Sequence, residues 1–124
     1  MKDKRPVNLD MLSIRLPITA WASITHRATG VFLFAGIALM LWTLDASLAS
    51  PESFATLQES FNNPLLKLII WAVMAALIYH SLAGIKHLIM DMGIGETMAG
   101  GVLGARIVIA LSVVFILVAG IWIW

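Results

Sequence analysis

Leu68-Ile69-Ile70-Trp71-Ala72-Val73-Met74-Ala75-Ala76-Leu77-Ile78-Tyr79-His80-Ser81-Leu82-Ala83-Gly84-Ile85 runs for 18 residues without a charged side chain. A helix of a soluble bundle needs a polar face for water, and this stretch has none. Two similar runs flank it, at 28–44 and 107–124. Each is close to the roughly 20 residues that cross ~30 Å of hydrocarbon at 1.5 Å per residue. The whole chain agrees: 60% of its 124 residues are hydrophobic, with a mean hydropathy of +0.95. Lipid tolerates only a backbone whose hydrogen bonds are made internally. The three runs therefore predict an all-α fold of three transmembrane helices.

The charges fall unevenly around these runs. Lys2, Lys4, Arg5, Arg15 and Arg27 precede the first, and Lys86 and Arg106 flank the connection between the second and third. The connection 45–64 carries Asp45, Glu52 and Glu59 and no Lys or Arg. The positive-inside rule puts the N-terminus and the second connection in the cytoplasm, and the first connection and C-terminus outside. Trp42, Trp71, Trp122 and Trp124 would form an outer aromatic belt, with Trp21 at the inner face. The charged start Met1-Lys2-Asp3-Lys4-Arg5-Pro6, before a run long enough to span, argues against a cleavable signal peptide. With no cysteine, the chain offers neither disulfides nor thiolate ligands for an iron–sulfur cluster. Its net charge of +1 identifies no partner beyond the lipid membrane, and no nucleic-acid partner is expected.

Along the chain, residues 1–17 read as a cytoplasmic arm ending at Pro17, which suits a helix start. Helix I is expected at 18–48, helix II at 65–90 and helix III at 105–124, forming one membrane domain. Ser50-Pro51-Glu52 and Asn62-Asn63-Pro64 bracket a polar outer loop with a short interfacial helix at 54–61. Gly93, Gly95, Gly100, Gly101 and Gly104 predict a flexible inner connection. Gly93-Ile94-Gly95 follows no strand and is a turn rather than a nucleotide-binding fingerprint.

On the second helix His80, Gly84, His87 and Asp91 are spaced by four, three and four residues and share one face. An imidazole at bilayer depth is costly, which marks His80 as a functional position. Neutral imidazole is a common axial ligand of haem iron, and the competing reading is a hydrogen bond across helices. Gly84 makes room either for a flat ligand or for close helix packing. His87, ~10 Å nearer the inner surface at 1.5 Å per residue, can simply be solvated. On the first helix Ser23 and Arg27 share a face, with His26 beside it. Arg27 can snorkel to the headgroups. Alternatively Ser23, Arg27, Lys86 and His87, at one depth, can hold carboxylates and donate hydrogen bonds to a polar ligand head. Met40, Met74, Met90, Met92 and Met98 have no fixed spacing and read as packing.

Arg5-Pro6-Val7 with Ser23-Ile24-Thr25-His26-Arg27-Ala28-Thr29 resembles the N-terminal signature of the succinate dehydrogenase cytochrome b family, the larger membrane anchors of respiratory complex II. The segment His80-Ser81-Leu82-Ala83-Gly84-Ile85-Lys86-His87-Leu88-Ile89-Met90-Asp91-Met92-Gly93 resembles the family's second signature. One departure is Lys86, where the family usually has arginine; lysine keeps the charge and loses the planar fork. The resemblance implies that His80 is one axial ligand of haem b, and that His26 and Arg27 lie near the haem propionates. It also implies that Ser23 and Arg27 line the ubiquinone site. The implied partners are a flavoprotein, an iron–sulfur subunit and a second small membrane anchor supplying the other haem histidine. The implied location is the bacterial inner membrane.

The chain has no flavin motif and no cluster ligands, so it is expected to be a non-catalytic subunit that helps to build a quinone-reduction site. The alternatives are a structural anchor that binds neither haem nor quinone, and the equivalent anchor of a fumarate reductase.

Overall fold

The computed structural model describes residue 10 and residues 13–124. The cationic start and the Arg5-Pro6-Val7 motif lie outside the described residues. Four helices follow: α1 (Ile18–Ala49), α2 (Pro51–Ser60), α3 (Pro64–Asp91) and α4 (Met98–Ile123). Of these, α1, α3 and α4 are long and apolar enough to cross a membrane.

Local chemistry sets each boundary. Pro17 stands in extended backbone just before α1, and its carbonyl accepts from the Ala20 and Trp21 amides at 3.0 and 3.2 Å. It is thus the residue before the helix rather than the first one in it. Ser50 separates α1 from α2: its Oγ accepts from the Ser53 amide at 3.0 Å, and Pro51 takes the first helical position, where a missing N–H costs nothing. Ser53 Oγ donates back to the Ala46 carbonyl at 2.6 Å. The outer-loop helix consequently begins at Pro51 and ends at Ser60, because Ser50-Pro51 acts as a cap. Asn63 and Pro64 repeat the device for α3, with Asn63 Oδ1 accepting from the Leu65 amide at 2.9 Å.

The connection from α3 to α4 is shorter than the glycine content suggests. Gly93 and Gly95 turn the chain with φ of +84° and +72°, a region that favours glycine. Thr97 Oγ1 then caps α4 by accepting from the Gly100 amide at 3.0 Å. Gly100, Gly101 and Gly104 therefore lie inside α4, which starts at Met98 rather than 105. They serve close approach rather than flexibility. A Cβ on Gly100 would stand 2.8 Å from the Gly95 carbonyl oxygen, and one on Gly104 would stand 3.1 Å from Lys86 Cε.

α3 packs against both α1 and α4, which touch each other far less. Small residues carry these crossings, as expected where lipid provides no hydrophobic drive between helices. A Cβ on Gly36 would be 3.1 Å from Val73 Cγ1, and one on Gly120 3.0 Å from the Trp71 ring. Trp71 is not an outward-facing belt residue: it turns into the α3–α4 crossing and donates Nε1–H to the Ile116 carbonyl at 2.8 Å. Nearby, Lys67 Nζ lies 5.6 Å from the Trp124 ring centre, so a cation–π contact joins the start of α3 to the end of α4. Among the described residues no large side chain is completely buried, and Phe34 and Ile121 are 85% and 81% exposed. Such surfaces suit lipid or other membrane helices.

Trp71→Phe should remove one neutral hydrogen bond and lower stability by about 1 kcal/mol. Gly120→Val should be worse, because its side chain meets the indole itself. Denaturation of the detergent-solubilised protein checks the order, and equal stability of both variants would contradict this packing.

Candidate functional site

The site grows from one problem: His80, half-buried in the middle of α3, carries two ring nitrogens into an apolar bundle. Nδ1 points at α1, 3.0 Å from the His26 carbonyl oxygen and 3.1 Å from Thr29 Oγ1. A carbonyl only accepts, so Nδ1 must carry the hydrogen. The Thr29 hydroxyl gives its own hydrogen to the same carbonyl at 2.8 Å. Its lone pairs are then the part that faces His80. With the proton held on Nδ1, a neutral His80 has its lone pair on Nε2, which makes no hydrogen bond among the described residues.

Glycine and histidine complete the seat. A Cβ on Gly30 would stand 3.0 Å from His80 Cε1, so a side chain there would crowd this ring. The His26 ring stacks on His80, with centres 4.1 Å apart and planes 11° from parallel. It also lies 5.2 Å from the tilted ring of His87. His26 fills the space beside Gly84, its Nε2 standing 3.6 Å from where a Cβ would be. The gap expected for a flat ligand is thus taken by an imidazole of the same chain. His26 Nε2 and Ser112 Oγ are the two buried side-chain polar atoms without a partner among the described residues.

Other sequence-chosen residues divide between two sides. Ser23 is half-buried, Arg27 is exposed, and neither makes a side-chain hydrogen bond or ion pair with any described residue. His87 faces α1, where it meets the His26 ring. Lys86 does not, since its stem runs across Gly104 on α4. The expected four-residue cluster is therefore split by the roughly 100° turn between successive helical residues. Asp91, the last residue of α3, is exposed.

Sequence reasoning missed Thr29, Gly30, Thr25 and Tyr79. Tyr79 shares its hydroxyl between Thr25 Oγ1 at 2.6 Å and the Ala22 carbonyl at 2.9 Å. Thr25 donates to the Trp21 carbonyl at 2.7 Å. The available signal was spacing: Thr25 and Thr29 are four apart on α1, opposite the adjacent polar pair Tyr79-His80 on α3. Among the described residues no group of three or more His, Asp or Glu side chains is arranged to hold a metal ion. His26 and His80 meet face to face, and His87 meets His26 at a tilt of 54°.

Residues 1–119 match the model of the succinate dehydrogenase/fumarate reductase transmembrane subunit. The chain belongs to that family. It is 41% identical, over all of both chains, to a protein of Coxiella burnetii named succinate dehydrogenase cytochrome b556 subunit. Proteins of the same name in Paracoccus denitrificans and Rickettsia felis are 38% and 36% identical. These alignments cover 91% and 75% of this chain and 87% and 72% of the relatives. This family member is an all-helical, multi-pass membrane anchor, and its similarity is to the succinate dehydrogenase side of the family.

Proposed function

We propose that this anchor holds one haem b jointly with a second small anchor subunit and forms part of a ubiquinone-reduction site. A flavoprotein and an iron–sulfur subunit would feed it electrons from succinate. The observation that carries the reading is the His80 seat: Nδ1–H is committed to α1, and Nε2 keeps a lone pair that no described residue uses. That is the state an axial imidazole requires. The cytochrome b556 name of the relatives points the same way.

When bound, haem b supplies a one-electron store within the membrane. The chain's own residues provide binding and electrostatics. His80 Nε2 is the candidate axial donor, and the second imidazole would come from the other anchor, since His26 lies flat against the His80 ring and His87 packs at a tilt against His26. His26 Nε2, sealed and unpartnered, suits a propionate oxygen, and the unpaired Arg27 guanidinium can hold the same carboxylate. Ser23 donates a hydrogen bond to one quinone oxygen, and Arg27 stabilises the negative charge that develops there on reduction. His80→Ala should change or abolish the b-type spectrum, whereas His87→Ala should leave ligation intact. A normal bis-histidine spectrum in His80→Ala would remove the assignment.

The quinone assignment has its own test. Arg27→Leu should lower quinone-linked turnover about a hundredfold, equivalent to ~3 kcal/mol. Ser23→Ala should cost about 1 kcal/mol. Both should still pass electrons from succinate to an acceptor that taps the soluble subunits. An unchanged ratio of the two activities in Arg27→Leu would leave Arg27 as a headgroup contact.

The anchor is further proposed to lie in a bacterial inner membrane with its N-terminus in the cytoplasm. The support is the placement of Asp45, Glu52 and Glu59 at one end of the bundle and of Arg27, Lys86 and Arg106 toward the other. A reporter fused after Trp124 should be active only in its external form. Cytoplasmic activity there would reverse the orientation.

A further inference from the structure

Thr29 is a polar residue of the α1–α3 interface, in direct contact with His80, that the proposed reactions do not use. Its hydroxyl sits at a junction of three groups. It donates to the His26 carbonyl at 2.8 Å and faces His80 Nδ1 at 3.1 Å, and that nitrogen is itself 3.0 Å from the same carbonyl. The His80 hydrogen is therefore shared between two oxygens held by one turn of α1. Sharing fixes the rotation of the ring as well as its tautomer, because one acceptor alone defines a direction and two define a plane. Gly30 and the stacked His26 ring close the remaining freedom.

From this geometry we infer that Thr29 is a positioning residue for His80, holding Nδ1 as the protonated nitrogen and aiming the Nε2 lone pair. The inference rests on the reading of His80 as an axial haem ligand. Hydrogen bonding at the distal nitrogen makes an imidazole a stronger donor and fixes its orientation, and loss of such a partner typically weakens metal binding 10- to 100-fold. Thr29 would thereby set how tightly haem is held and how its ferric form is favoured.

Three variants in the assembled complex separate the hydroxyl from the volume it occupies: Thr29→Val, Thr29→Ala and Thr29→Ser. Val and Ala lose the hydroxyl, and Ser keeps it. The readouts are the low-spin electron paramagnetic resonance spectrum, the haem midpoint potential, and haem loss to excess apomyoglobin. Val and Ala should both shift the spectrum, raise the potential and release haem about tenfold faster. Ser should stay close to wild type. Should Val prove too disruptive to assemble, Ala against Ser carries the same comparison with no added bulk. Wild-type spectra, potential and haem loss in Ala would overturn the proposal. So would changes that follow side-chain size, with Ala and Ser altered alike and Val normal. His80→Ala in parallel keeps the two claims apart. If it retains the normal bis-histidine signal, the ligand assignment has failed, whereas loss of that signal with a silent Thr29→Ala refutes the Thr29 role alone.

Discussion

A hydrogen on an imidazole nitrogen inside lipid must be given to something, and the arrangement of α1 against α3 depends on where His80 puts it. The His26 carbonyl and the Thr29 hydroxyl take it jointly, at 3.0 and 3.1 Å. An unmet polar group at this depth would cost several kcal/mol. The two oxygens therefore set the rotation of α1 about its axis as well as the state of the ring. Gly30 follows from the same constraint, because any side chain there would push the imidazole away from its acceptors. Tyr79, the neighbour of His80, solves its own problem in the same way, by reaching Thr25 and the Ala22 carbonyl. The helix pair is thus joined by a short ladder of hydroxyls and carbonyls in an otherwise apolar seam.

The α3–α4 seam has glycine contacts like those at Gly30 and Gly36 and makes fewer polar ones. It has one cross-helix hydrogen bond of its own, from Trp71 to the Ile116 carbonyl, and otherwise relies on glycines that admit bulky neighbours. Trp71 lies over Gly120 and the Lys86 stem over Gly104, near the two ends of α4. The α1–α3 seam is consequently the more polar of the two, and α4 is held mainly by close packing. Placing α3 between them lets one helix carry the candidate ligand on one side and its structural support on the other.

The helices were legible in the sequence because an uncharged run of 17 or 18 residues admits one economical structure. His80 was legible for a related reason, as a polar group at a depth where polar groups need a purpose. What sequence could not supply was rotation. Lys86 and His87 are adjacent and at one depth, yet one meets α4 and the other the His26 ring. Trp71 has the composition of a belt residue and the orientation of a packing residue. Gly100, Gly101 and Gly104 look like a loop because glycine lowers helix propensity, and tertiary close approach overrides that preference. Thr29 carried only the weak signal of its four-residue spacing from Thr25, since a threonine in a transmembrane helix commonly satisfies itself on its own backbone, and this one does that too.

The described residues also leave large apolar side chains exposed and several polar groups unmatched. Its spans bury only small or medium side chains against one another, and large apolar side chains such as Phe34, Val31 and Ile121 face outward. Among the polar groups without a partner in the described residues, His26 Nε2, the Arg27 guanidinium and Ser23 Oγ lie on the N-terminal part of α1, His80 Nε2 lies on α3 and Ser112 Oγ on α4. In a soluble protein Arg27 and Ser23 would be satisfied by water and need no explanation. In a membrane-spanning helix they are polar groups without a partner among the described residues, on the same part of α1 as the unpartnered His26 Nε2. Such groups are satisfied when others supply the missing acceptors, and carboxylates and quinone oxygens are acceptors of the right kind for Arg27 and Ser23. Arg27, Ser23 and His26 Nε2, without partners among the described residues, are thus groups on which the proposed ligands would be held.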